Sequence, residues 1–139
     1  MKGLHLHIRH FGSSIQTLKK EYIMGELKDE YSQISDNFWE LIDWQGEQGE
    51  LYQAHYKKTY EPGVLDTKTK RLMAMGAAIV MGCKGCILGQ TQKAIDAGAT
   101  RDEIMETCSV MLSLGGTMAG SKISIVMELL NEMGMIEAD

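Results

Sequence analysis

The chain has 139 residues, 44% of them hydrophobic, and a formal net charge of −5 with a pI near 5.4. This length fits one domain with a core of its own, and the acidic balance, with basic residues scattered rather than gathered in a stripe, excludes a nucleic-acid-binding surface. No stretch reaches the roughly 18 apolar residues of a membrane span, and Met1 to Ile8 lacks the apolar run of a secretory leader. A soluble, cytoplasmic protein is expected, with its three cysteines in a reducing compartment.

One proline, frequent Ala, Met, Leu, Glu and Lys, and long 3.6-residue periodicities predict an all-α fold. Residues 1–20 stand apart as an N-terminal extension that holds His5, His7 and His10, followed by Gly12-Ser13-Ser14; residues 21–139 are expected to form a single helical domain. From about Glu26 to Trp44, Leu27, Tyr31, Ile34, Phe38, Leu41 and Ile42 recur at spacings of three and four, the buried face of an amphipathic helix. Gly46 and Gly49 break the pattern, and Glu50 to Tyr60 reads as a shorter helix that Pro62-Gly63 ends. Asp66 or Thr67 caps the next helix, which is so apolar after Arg71 that burial nearly all round is expected. Gly82 loosens the chain before Cys83. A further helix runs from about Lys84 to Ala97 and closes at Gly98 in a left-handed C-cap. Thr100 with Glu103 is a capping box opening a helix faced by Ile104, Cys108, Met111 and Leu112, which Gly115-Gly116 interrupts. The last helix, about Ser121 to Met133, carries Ile123, Val126, Met127 and Leu130 on one stripe. Two of these helices are more apolar than a thin bundle of this size can bury, which points to a homo-oligomer.

Chemistry concentrates at Cys83-Lys84-Gly85-Cys86. Two thiols three residues apart can close a disulfide within one helical turn, and with Cys108 a helix away no four-thiolate zinc cage can form within one subunit. Dithiol redox chemistry is therefore the leading reading, with no metal and no cofactor. A cysteine at a helix N-terminus beside Lys84 favours its thiolate, which singles out Cys83. Cys86 lies one turn deeper, and Gln90, four residues on, can hydrogen-bond at that sulfur but cannot shuttle protons. Cys108 and the eleven methionines read as core or interface packing.

From Leu65 to Leu130 the chain resembles the carboxymuconolactone decarboxylase superfamily, and within it the alkylhydroperoxidase D-like branch. The residues that carry this are Leu65-Asp66-Thr67-Lys68-Thr69-Lys70, the small-residue helix up to Gly82, Cys83-x-x-Cys86, Ala94-Ile95-Asp96-Ala97-Gly98-Ala99-Thr100, Asp102-Glu103-Ile104 and Gly115-Gly116. The resemblance implies an all-α helical bundle that assembles into trimers or hexamers. It also implies a dithiol that reduces peroxides, with Cys86 attacking and Cys83 resolving, recharged by a thiol donor such as a lipoyl protein or a thioredoxin-like protein. The chain departs from the pattern at two relay positions. Gln90 stands where the family commonly has a histidine and Arg71 where it has a glutamate; Gly85 replaces a histidine sometimes found before the second cysteine. Losing general acid–base help of that kind costs about 10² to 10⁴ in rate, so weak activity is expected unless His55 or Glu106 enters the site. Arg71 offers a compensating cation beside the thiolate. A decarboxylase-like enzyme of the superfamily and a non-enzymatic redox-sensing oligomer are the alternative readings.

Overall fold

The structure, a computed structural model, describes residues 25–136, so the histidine-containing extension lies outside the described residues. Among the described residues five helices follow one another: α1 (Glu26–Trp44), α2 (Glu47–Tyr60), α3 (Thr67–Met81), α4 (Lys84–Asp96) and α5 (Arg101–Glu132). Among the described residues there is no strand, as the composition predicts.

Local chemistry sets most of the boundaries. Asp66 accepts the Thr69 N–H at 2.7 Å and so caps α3. The Thr100–Glu103 capping box opens α5, the Glu103 carboxylate taking the Thr100 N–H at 2.8 Å and the Thr100 hydroxyl the Glu103 N–H at 3.2 Å. Gly98, at φ 88°, closes the turn after α4.

The core is a three-helix unit in which α3 packs most intimately on α4 and α5. Met75 and Ile79 of α3, Ile87 and Ala94 of α4, and Ile104, Val126 and Leu130 of α5 interlock there. The hairpin of α1 and α2 lies against α4, and a smaller cluster of Leu27, Leu88 and Leu129 seats the start of α1.

Several elements differ from expectation. Gly49 does not break α2 but lies buried inside it, against the Ile42 carbonyl where α1 and α2 meet closely. At Gly116 (φ 57°, ψ −143°) the backbone leaves helical geometry for one residue and resumes at once, so the final helical stretch begins several residues before Ser121. The α3 helix is not buried all round: Met73, Val80 and Met81 face outward, because α4 and α5 cover only one side. The α1 stripe buries Leu27 and Ile42 but leaves Ile34, Phe38 and Leu41 open. The expectation that no stretch suits a membrane also needs correction. By length and composition α5 is long and apolar enough to cross one, with an 18-residue window of mean hydropathy 1.4. Its serines, threonines and glycines are mild enough that the average over such a window reveals this where no unbroken apolar run does. Just 11% of that window is buried within the chain, Leu114 and Met118 being 76% and 80% exposed.

Candidate redox site

Cys83 is the N-cap of α4, and its Sγ accepts the N–H of Cys86 at 3.3 Å. The two cysteines are joined as a disulfide, with Cα atoms 5.2 Å apart. Gly82, left-handed at φ 72°, ends α3 and turns the chain so that Cys83 meets the exposed amides of the new helix. Cys83 is half-buried and Cys86 exposed.

Both cysteines open onto a cavity of about 350 Å³ between α4 and the α1–α2 hairpin. On α4 its lining is the stripe Cys86, Gly89, Gln90 and Lys93, spaced so that they share one helix face. Opposite stand aromatic side chains: Tyr31, Phe38 and Trp39 from α1, Tyr52 and Tyr56 from α2. Gly89 allows this approach, since a methyl group there would lie 2.6 Å from the Tyr31 ring. Trp39 meets Tyr56 edge-on at 6.2 Å between ring centroids, and Tyr52 stacks on Tyr56 at 6.2 Å.

A polar cluster closes the inner end. Arg71 Nη1 donates to Tyr56 Oη at 2.8 Å and to Gln90 Oε1 at 3.2 Å. Its guanidinium lies over the Tyr60 ring, 3.4 Å from the centroid. Lys93 Nζ donates to the same Tyr56 Oη at 2.9 Å. Burial alone would push the Tyr56 phenol up, but the hydrogen bonds from Lys93 and Arg71, with their positive charges, outweigh it and hold the phenol below its usual value. For Lys93, burial opposes the charged form, and the contact with Tyr56 overcomes it and raises the ammonium above its ordinary value.

The sequence-predicted residues thus come together unevenly. Cys83, Cys86 and Gln90 share the cavity. Arg71 stands behind its wall, joined to it through Gln90 and Tyr56, so the two relay positions at which this chain departs from the resemblance are hydrogen-bonded neighbours. Neither is a surface residue; both are half-buried. His55 points to solvent, and Glu106 lines a separate cavity with Ser109, Val110 and Ser113, so neither supplies the missing base. Lys84, expected beside the thiolate, is instead paired with Glu30 of α1 at 2.6 Å. Cys108 is core, 3% exposed, and burial pushes its thiol up to about 11. Among the described residues no group of three or more His, Cys, Asp or Glu side chains is arranged to hold a metal ion.

Sequence reasoning missed Tyr56, Lys93 and the aromatic wall. Two signals were present: Tyr52, Tyr56 and Tyr60 at spacings of four on α2, and Lys93 seven residues after Cys86 on the stripe that already held Gln90.

The fold has solved counterparts. A carboxymuconolactone decarboxylase family protein from Legionella pneumophila superposes with a TM-score of 0.69 at 23% identity, covering 81% of this chain and 99% of its own. A Thermotoga maritima protein of the same family, for which a part in the antioxidative response has been suggested, gives 0.64 at 24% identity over 77% of this chain and 97% of its own. In sequence, an uncharacterized protein of Cupriavidus necator is 28% identical over 109 residues, 76% of this chain and 96% of that protein. An uncharacterized protein from the cox locus of Paracoccus denitrificans is 32% identical over 77 residues, 55% of this chain and 69% of that protein. The characteristic pattern of one family matches residues 47–128, from the start of α2 through most of α5 and across the whole of the Cys83–Cys86 motif. By that match over more than half its length, the chain belongs to the carboxymuconolactone decarboxylase family.

Proposed function

We propose that this protein is a thiol-dependent peroxidase or disulfide oxidoreductase of antioxidant defence, working through Cys83 and Cys86. The observation that carries this reading is a paired dithiol at the first turn of α4, open to an aromatic cavity large enough for an organic hydroperoxide. The antioxidative role suggested for the Thermotoga maritima relative is in keeping with it.

In the reduced protein the Cys86 thiolate attacks the terminal oxygen of a hydroperoxide. The O–O bond breaks, an alcohol leaves, and Cys86 becomes a sulfenic acid. The Cys83 thiol then displaces water to form the disulfide. An external dithiol, such as a lipoyl or thioredoxin-like protein, attacks the disulfide, is itself oxidised, and restores both thiols. Exposure favours Cys86 as the sulfur that meets oxidant and donor. The N-cap position favours Cys83 as the sulfur that departs: negative charge developing there is met by the Cys86 N–H and the positive end of α4. Helix dipole and family roles therefore act on different sulfurs at different steps and do not conflict. The exposed apolar residues of α3 and α5 suit packing against further copies of the chain, in keeping with a trimer or hexamer in a reducing, cytoplasmic compartment.

One observation favours a second reading. With Gln90 and Arg71 at the relay positions, a redox sensor that is oxidised slowly and signals through its oligomer needs no relay. The two separate by experiment. The fully reduced protein is treated with one equivalent of an alkyl hydroperoxide, and the peptide holding Cys83 and Cys86 is followed by mass spectrometry. Rapid loss of two hydrogens, abolished by Cys86→Ser, is the peroxidase result; oxidation no faster than that of a free thiol refutes it.

A further inference from the structure

We propose that Tyr56 is the proton-transfer residue of this site: its phenol oxygen, held by Arg71 and Lys93 in the wall of the cavity that Cys86 enters, takes the Cys86 thiol proton and returns it to the departing alkoxide. This rests on the peroxidase reading above and supplies the acid–base partner that reading lacks.

The need for one is chemical. A thiolate must form, and the alkoxide released when the O–O bond breaks is a poor leaving group without a proton. Gln90 has an amide in the relay position and cannot carry protons. Lys93 has a raised value that keeps it an ammonium, so it cannot act as the base. None of the cavity's lining residues is an acid or a histidine.

Tyr56 meets the requirement by position. Its side chain lines the same cavity as Cys86, and one Arg71 nitrogen bridges its phenol oxygen to Gln90, which lies one helical turn beyond Cys86. Lys93 reaches the phenol from two turns beyond Cys86. The charged and titratable groups facing that oxygen are Arg71 from α3 and Lys93 from α4; α1 contributes Trp39, with Tyr31 elsewhere on the cavity wall, and α2 adds its own Tyr52 and Tyr60. Two cations and no carboxylate at one phenol oxygen stabilise its anion, as the lowered ionisation of Tyr56 reflects.

The cycle balances. Cys86 and Tyr56 share one proton, and with that proton on the Tyr56 oxygen the pair is a thiolate beside a phenol. The thiolate sulfur bonds to the terminal hydroperoxide oxygen as the O–O bond breaks. The second oxygen leaves with its electron pair and takes the Tyr56 proton, giving an alcohol, a Cys86 sulfenic acid and a Tyr56 phenolate held by Arg71 and Lys93, which shares a proton again once Cys86 is reduced to its thiol. Tyr56 neither gains nor loses electrons.

The test is single-turnover oxidation of the reduced wild-type protein by cumene hydroperoxide, followed by stopped flow across pH and compared with Tyr56→Phe. Phenylalanine keeps the ring against Trp39 and Tyr52 and removes only the oxygen. The expected result is a roughly 10²-fold slower oxidation of Cys86 near neutral pH. The alkaline fall in the wild-type rate, where the Cys86–Tyr56 pair loses its shared proton, should disappear. Lys93→Met, which removes one of the two cations, should move that fall to higher pH. A structural role for Tyr56 would alter the denaturation midpoint but not remove the fall. Tyr56→Phe with an unchanged rate, or with the fall retained, overturns the assignment while leaving the peroxidase intact, as does a Lys93→Met variant that is silenced while Tyr56→Phe is not. A wild-type protein oxidised no faster than a free thiol overturns both.

Discussion

Arg71 is the strut of the inner polar cluster, and replacing it with methionine measures what that cluster is worth. Methionine preserves most of the apolar stem and removes the guanidinium. Two charge-assisted hydrogen bonds disappear, to Tyr56 Oη at 2.8 Å and Gln90 Oε1 at 3.2 Å, along with the stacking on Tyr60 at 3.4 Å. In a fully buried setting each hydrogen bond contributes about 1.5–3 kcal/mol and the cation–π contact about 0.5–2 kcal/mol. Arg71 is half-buried, so water screens and partly replaces all three. Tyr56 also keeps its bond from Lys93 and is not orphaned. A net loss of about 2 kcal/mol is expected. Urea unfolding at one protein concentration reads it directly: with a slope of about 1–3 kcal/mol/M, the midpoint falls by about 1 M at unchanged slope. Arg71→Lys should recover less than half of the loss, because an ammonium cannot bridge two acceptors while lying flat on a ring. An Arg71→Met variant within about 0.5 kcal/mol of wild type, the range of an unremarkable surface change, would refute the view that this cluster ties α2, α3 and α4 together.

Cys108, at about 11, holds roughly two orders of magnitude less thiolate at pH 8 than a free thiol near 8.5. In the reduced native protein its alkylation by iodoacetamide should therefore lag Cys83 and Cys86 by at least that factor and equalise in denaturant; native labelling within a few-fold of the unfolded rate would contradict its burial. Glu103 supplies a test of pH dependence. The Lys68 ammonium, 2.6 Å away, and the Thr100 N–H hold its carboxyl below the ordinary 4.5, so its folded value lies under its unfolded one. Its contribution to stability is then complete above the unfolded value and is lost as pH falls through the folded value. Stability profiles of wild type and Glu103→Gln should diverge near neutrality and converge on acidification, and a pH-independent gap between them would show that the carboxylate charge is not what matters.

Local signals were legible in the sequence because they are short-range. Asp66, the Thr100–Glu103 box, Gly98 and the Cys83–Cys86 spacing each act within one helical turn, and the structure has the caps and the turn in place and the two cysteines joined. Burial was not legible in the same way, since it depends on which faces meet. The apolar run of α3 reads identically whether its outer side is covered by this chain or left bare, and here Met73, Val80 and Met81 are left bare. Periodicity identified the α1 stripe but not its destination: Ile34 and Phe38 line the cavity instead of filling the core. The same limit explains Tyr56. Its partners are 15 and 37 residues away in sequence, on helices that no local pattern aligns with α2. An exchange at the relay positions therefore looked like a loss. In three dimensions Arg71 at one of those positions turns toward Gln90 at the other and toward a phenol from a third helix. Under the Tyr56 proposal the proton carrier sits on another helix, where a motif that tracks only the residues around the cysteines does not register it.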